Sequence, residues 1–287
     1  ESSSMFTWSP DSDGDGFGSA EGLTTTACEP PEGHVADNTD CDDTSAATSP
    51  AAIELCNGVD DDCDRTTAET GLVSWFGTDG TASDLTGTLA GTSTAPGAYS
   101  TTADGTLAFC EGTFYTNLAV GHDLQVNGLG AVVLDGAGTG SVVTITGDGV
   151  DVALEDLTIQ NGAAARGGGL HCAGTGSDAV GLALDSVTFQ DNTAEQGGGL
   201  LASHCDATVL NSAFIRNEAT GDSGGGALIT AESTSQFTDS QFEENVSEAY
   251  AGGLAVQHTS SVTLENTHFE GNRAVAYGSA VDVFGGS

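Results

Sequence analysis

Lysine is absent from this sequence, and its only cationic side chains are Arg65, Arg166, Arg216 and Arg273. Against these 4 stand 42 Asp and Glu residues, a formal net charge of -38. A field of that sign repels nucleic acid and anionic lipid alike, so neither is expected as a partner. No apolar run approaches the roughly 18 residues needed to cross a bilayer, because Thr, Asp or Gly interrupts every candidate, and no membrane span is expected. Aromatic residues make up only 6% of the chain, too few to fill a core and also line a long ligand groove.

What is present is 287 residues with 38% hydrophobic content, enough for a buried core and two units of structure. An acidic surface this unbalanced strains its own compact state unless cations neutralise part of it, so bound metal or high salt is the physical expectation. The sequence begins at Glu1 with no leader or tag, as expected of a mature exported chain. Its 7 cysteines, 4 of them in one short acidic stretch, suit an oxidising compartment. The expected location is therefore secreted, extracellular or cell surface, and calcium is the expected cation.

Composition divides the chain near residue 70. Residues 11–64 hold 15 acidic residues and 4 cysteines but few β-branched or aromatic residues, so apolar burial cannot hold this stretch together. Three triplets place oxygen ligands on alternate residues: Asp11, Asp13 and Asp15; Asn38, Asp40 and Asp42; Asp60, Asp62 and Asp64. A loop with oxygens at positions 1, 3 and 5 wraps one hard cation, with Gly16 at the turn and the backbone carbonyl of Phe17 at position 7. The likeness to an EF-hand ends there, because Gly22 stands where a bidentate Glu is required. The missing ligands are expected from the other two triplets, several calcium ions sharing carboxylates. Disulfides such as Cys28 to Cys41 and Cys56 to Cys63 would close the loops, one of the three connectivities that four cysteines allow. The plain alternative is a solvated acidic linker.

The stretches DSDGDGFG, CEPPEGHVADNTDCDD and ELCNGVDDDCD resemble the metal-binding motif repeated in many bacterial surface proteins, itself similar to thrombospondin type 3 calcium repeats. The resemblance covers about a fifth of the chain.

From residue 106 onward, short β-type runs alternate with Gly, Asn, Asp and Ser. Aligned on one aromatic, four repeats appear with anchors Phe189, Phe214, Phe242 and Phe269, spaced 25, 28 and 27 residues apart. A period of this length with Phe-x-x-Asn and Gly-Gly-apolar at fixed offsets predicts one unit per repeat, stacked on its neighbours. Two strand signals per repeat favour a coil of short parallel strands over a leucine-rich repeat. Phe would stack along the axis, while Asn192, Asn217, Asn245 and Asn272 would form an amide ladder at a turn favouring left-handed backbone, and Gly-Gly would supply the corner. The repeats resemble those of polymorphic outer-membrane proteins and other pectate-lyase-like β-helices, roughly over residues 106–284. That likeness implies a passenger domain of a surface adhesin, although nothing resembles an autotransporter barrel.

The expected fold is thus all-β: a right-handed parallel β-helix over residues 106–287, preceded by a small disulfide-stapled, calcium-binding, loop-rich module over residues 1–70. Residues 71–105 are read as a cap on the first coil, with Trp75 and Phe76 as plugs. Cys172 and Cys205, in adjacent coils, are expected to pair. Cys110 is then left as a buried thiol, an intermolecular bridge, or a sign that the pairing differs.

An enzyme is not expected. Asp185, Asp239 and Glu265 read as one column of solvated turns, while Arg216 and Arg273 read as surface charges. His204 and His258 lie two coils apart, too far for one metal. The expected function is a calcium-dependent structural or adhesive surface protein that self-associates end to end as a filament subunit, because the sequence stops within a repeat and leaves an open edge. Surface glycans or other cells are the further partners considered. The alternatives are a carbohydrate-binding or polysaccharide-cleaving β-helix and a passive spacer of a longer surface protein.

Overall fold

Strand alternation sets which side chains face inward. In Val180–Asp185 the residues Val180, Leu182 and Leu184 are buried, while Ala183 between them is exposed. Cys205–Leu210 repeats the pattern one coil later, with Leu182 beside Ala207 and Leu184 beside Val209 in parallel register. A computed structural model of the chain describes residues 5–52, 54–55, 57, 59–64, 73–77, 82–84, 97–100 and 104–284. It forms two compact units, Glu1–Glu69 and Thr70–Ser287. The described residues contain strands and turns but no helix, so none is long and apolar enough to cross a membrane.

The second unit is a parallel β-solenoid of about six turns. One sheet runs from Gly105–Val120 and Leu124–Asp135 to Ser261–Glu265 and His268–Glu270. A second stacks Val143–Gly147 through Val281–Phe284, and a short third stacks Ala163–Arg166 through Arg273–Ala274. At the start of the solenoid, Val73–Gly77 pairs antiparallel with the Gly105–Phe109 segment, and Ala82–Asp84 pairs antiparallel with Val73–Gly77 in turn. These strands occupy the outer edge of the first coil, which would otherwise present unpaired amides. Trp75 and Phe76 belong to this strand, but their side chains lie outside the described residues.

Repetition places like on like. The rings of Phe189, Phe214, Phe242 and Phe269 stack with centroids 4.9, 4.5 and 4.8 Å apart and interplanar angles of 9°, 5° and 6°. That spacing is the distance between neighbouring strands. Asn192, Asn217 and Asn245 are fully buried, and each Nδ2 donates to the Oδ1 of the next ladder residue at 3.0, 3.0 and 2.9 Å, ending on Asn272. Each Nδ2 also donates to a main-chain carbonyl of an earlier coil, such as Asn217 to Phe189 O at 2.9 Å. The turn does take left-handed backbone, on the residue before each ladder asparagine: Asp191 (φ 54°), Arg216 (φ 51°) and Glu244 (φ 53°). The ladder residue itself must aim its amide inward, so its predecessor makes the turn. The Gly-Gly pairs answer to crowding as well as to bending: a Cβ at Gly198 would lie 2.5 Å from both Glu218 O and Gly225 O of the next coil.

Cys172 of the second sheet and Cys205 of the first are joined by a disulfide with Cα atoms 6.1 Å apart, both fully buried. Cys110 is buried and also disulfide-bonded, which overturns its reading as a leftover thiol.

Asn217→Ala removes the partners of Phe189 O, Asn192 N and Asn192 Nδ2 inside the solenoid. At about 1–3 kcal/mol for each orphaned buried group, it should cost about 3 kcal/mol or more. Thr208→Ala on the outward face should stay within about 0.5 kcal/mol. Denaturant midpoints for the two variants check the difference; equal midpoints would remove the ladder as a stabilising element.

Candidate metal centre

The strand Phe6–Pro10 delivers the chain into an acidic loop tied at both ends: Asp11 N donates to Gly33 O and Ser19 N to Pro10 O, each at 2.9 Å. Gly14 (φ 83°) and Gly16 (φ 99°) take the left-handed conformations that let it curl. Each Asp uses one oxygen to hold the loop. Asp11 Oδ1 accepts from Gly14 N at 2.9 Å, Asp13 Oδ1 from Asp15 N at 3.3 Å, and Asp15 Oδ1 from Phe17 N at 2.8 Å. The second oxygens of Asp13 and Asp15 are buried and receive no hydrogen bond.

Asp40 enters from the next segment, held by Asp40 N to Gly18 O at 3.1 Å and Ala20 N to Asp40 O at 2.8 Å. It is 1% exposed; its Oδ1 accepts from Asp42 N at 2.9 Å, and its Oδ2 is buried with no donor. Asp43 follows and grips the loop by accepting from Ser12 N at 2.7 Å and Ser12 Oγ at 2.8 Å. Carboxylate oxygens of Asp11, Asp13 and Asp15 lie within 4.8 Å of one another, as do those of Asp13, Asp40 and Asp43. Asp13 belongs to both sets, so the two adjoin through it. Burial away from water, followed by the neighbouring charges of Asp15, Asp13 and Asp43, pushes the Asp40 carboxyl above its ordinary value. Buried carboxylate oxygens that take no hydrogen bond, crowded by like charge, fit a cation among them.

A second group lies in the same unit. Glu54, Asp60 and Asp62 bring carboxylate oxygens within 4.8 Å of one another. Glu54 is 7% exposed; its Oε2 accepts from Asp61 N at 2.8 Å and Asp62 N at 3.3 Å, while its Oε1 is buried with no donor. Asp61 is engaged by the preceding turn, its Oδ2 accepting from Leu55 N at 3.1 Å and Asn57 Nδ2 at 2.9 Å. Burial, and then Asp61 and Asp62, push the Glu54 carboxyl up in the same manner.

The structure brings together Asp11, Asp13 and Asp15 of the first triplet, places Asp40 of the second beside Asp13 and Asp43, and joins Asp60 and Asp62 of the third to Glu54. Asn38 and Asp42 are exposed, and Asp42 Oδ1 caps a turn by accepting from Thr44 Oγ1 at 2.6 Å. Asp64 is exposed and belongs to neither group. Phe17 is half-buried, its amide engaged by Asp15. Asp43 and Glu54 escaped the sequence reading because Asp43 sits at the wrong parity and Glu54 lies six residues before Asp60. The expected pairings Cys28 to Cys41 and Cys56 to Cys63 are wrong: Cys41 is joined to Cys63, with Cα atoms 5.6 Å apart. Cys28 is exposed, and Cys56 lies outside the described residues. With both sulfurs in a disulfide, Asp40, Cys41 and Cys63 offer no thiolate to a metal.

On the solenoid, the register corrects the expected acidic column. Asp185, Leu210, Thr238 and Glu265 align, while Asp239 lies one position later. Asn211 Nδ2 donates to Asp185 Oδ1 at 2.9 Å, and Asn266 Nδ2 to Asp239 Oδ1 at 3.1 Å. Arg216 forms a forked pair with Asp191, at 2.8 Å from Nε and 2.7 Å from the terminal nitrogen. His258 Nδ1 lies 2.8 Å from Thr230 Oγ1.

Residues 40–69 match the MopE copper-binding family model, described as "Putative metal-binding motif", and residues 168–284 match the model of a right handed beta helix region. No curated protein and no solved structure matches the chain. The chain is thus similar to the MopE motif family over residues 40–69 and carries a right-handed β-helix region over residues 168–284.

Chelation should loosen the first unit and spare the second. A cation at a hundredfold excess over its Kd stabilises the state that binds it by about 2.7 kcal/mol. EDTA should therefore lower the melting temperature of residues 1–69 while the solenoid transition stays in place, as calorimetry would show. In EDTA the pH response should also be inverted. Asp40 and Glu54 have raised folded-state values, so the folded unit binds protons more tightly than the unfolded chain. Stability is then gained below the folded-state values and lost as pH rises through them. Melting temperature in EDTA should rise as pH falls from 7 towards 4; a steady fall would contradict the crowding of these carboxylates.

Proposed function

We propose that this is a calcium-dependent extracellular surface protein, structural or adhesive and not catalytic, whose N-terminal unit folds around calcium and whose β-helix forms an elongated scaffold. The observation that carries the reading is the pair of carboxylate sets that adjoin through Asp13, with buried, hydrogen-bond-free oxygens on Asp13, Asp15 and Asp40. All donors in both groups that could hold a metal are carboxylate oxygens, the hard ligands that suit calcium. Copper, which the name of the matching family model carries, prefers imidazole and sulfur. No histidine joins these groups among the described residues, and Cys41 and Cys63 are oxidised.

Disulfides at Cys41, Cys63, Cys110, Cys172 and Cys205 favour an oxidising, extracellular setting. The absence of catalysis is supported by how the solenoid's charged groups are used: Arg216 is tied to Asp191, and Asp185 and Asp239 are held by turn asparagines. End-to-end self-association is the second reading. It rests on the repeat itself: each coil pairs with the next in parallel register, and a further copy would offer the same pairing.

Titration calorimetry of the chelated full chain with Ca²⁺ and with Cu²⁺ tests the metal. Calcium should bind and restore the melting temperature lost in EDTA, and Asp40→Asn should weaken that binding at least about tenfold. Copper binding with no response to calcium would sink the calcium reading. Sedimentation with and without calcium tests self-association, and a monomer in both conditions removes it.

A further inference from the structure

One position of the second sheet repeats in register through the coils as Thr144, His171, Leu201, Leu228 and Ala255. Leu201, Leu228 and Ala255 are buried and form, with Ala251, a small apolar cluster separate from the solenoid interior. The glycine corner lies against this column. A Cβ at Gly197 would stand 2.9 Å from Leu201 Cβ, and one at Gly167 (φ 54°) would stand 2.7 Å from His171 Cα. His171 thus occupies the place that the next two coils fill with leucine.

Leucine at that place shows that packing there needs no imidazole. His171 Nε2 is buried and has no hydrogen-bond partner. Its neighbours across the sheet, Thr144 and Leu201, carry no charge; the preceding strand brings Arg166, and among the described residues no carboxylate pairs with His171. Burial, followed by the charge of Arg166, holds the imidazole below its ordinary value. A neutral imidazole can leave one nitrogen without a donor, whereas an imidazolium must donate from both. Two bonds close the corner onto the next coil: Gly167 N to Gln196 O at 2.9 Å and Gly168 N to Gly197 O at 3.2 Å.

We propose that His171 is an acid-sensitive latch on the Gly167–Gly169 corner. Neutral, it packs beneath the closed corner; protonated, it draws water to Nε2 and parts the corner from the next coil. Leu170–Gly174 and its neighbour Val143–Gly147 then loosen, while Leu201 and Leu228 keep the later coils shut. With the corner open, His171 returns to its ordinary value of 6.5, and with it closed the value is lower. The closed form is therefore favoured above pH 6.5 and weakens as pH falls through the window between the two values, by up to about tenfold per pH unit. The latch lies wholly in the second unit and is independent of the calcium reading.

Hydrogen exchange of the full chain, read by mass spectrometry and corrected for the intrinsic pH dependence of exchange, tests it. Between pH 7 and pH 5, Val143–Gly147 and Leu170–Gly174 should lose protection at least about fivefold, while Leu200–Ser203 and Ala227–Thr230 hold theirs. His171→Leu should show no such loss and should be at least as protected as the wild type at pH 7. His171→Gln, uncharged at every pH, repeats the test should the leucine variant fold poorly by circular dichroism. A loss of wild-type size in the folded variant overturns the latch, as does no loss in the wild type or one spread evenly over all coils.

Discussion

Uncompensated negative charge, brought together and partly buried, is the constraint on which the N-terminal unit depends. Asp13, Asp15 and Asp40 turn oxygens inward where no donor meets them, and Asp40 is almost fully buried. Removing such groups from water costs several kcal/mol each unless something positive compensates. No lysine exists in the chain to do so. The unit also lacks an alternative source of stability: among its described residues Met5, Phe6, Leu23 and Val59 are exposed, and those classed as buried are mostly small or polar. A cation bound there would supply the missing positive charge and give the loop, the Asx turns and the disulfide a common centre.

The solenoid follows the opposite logic. Its interior is apolar and continuous, from Leu107 and Phe109 through Phe189, Phe214 and Phe242 to Val256. Each coil presents its neighbour with a copy of itself, so a residue that suits one position suits the column. Its buried asparagines complete one another along the axis. The Asn192, Asn217, Asn245 and Asn272 ladder spends its donors on the next amide or an earlier carbonyl.

How much of this could be read from residues alone depends on the range of the interaction. The Phe and Asn columns were legible because a period near 27 residues writes the same residues four times and the same contact three times. The first acidic loop was legible because its ligands are local. Glu54 and Asp43 were not, since their roles depend on which way one peptide turns: Asp61 faces Leu55 and Asn57, so parity alone cannot say which of three consecutive aspartates serves the ion. The cysteine pairing failed for a related reason. Cys41 lies nearer in sequence to Cys28, but bridging it to Cys63 links two acidic loops that share no local signal. The column of Asp185, Asp239 and Glu265 slipped because loop lengths differ between coils, and one residue of slip exchanges a strand position for a turn.

The bridge between Cys41 and Cys63 also bears on how the two acidic groups act together. Loop closure by a covalent link restricts the open chain, so the groups flanking the cysteines begin close to their bound positions. Asp40 and Asp62 are those flanking groups, one for each site. A cation bound at either group would meet carboxylates whose approach the disulfide has already restricted, which gives a unit of little apolar interior a use for a bridge between its two acidic loops.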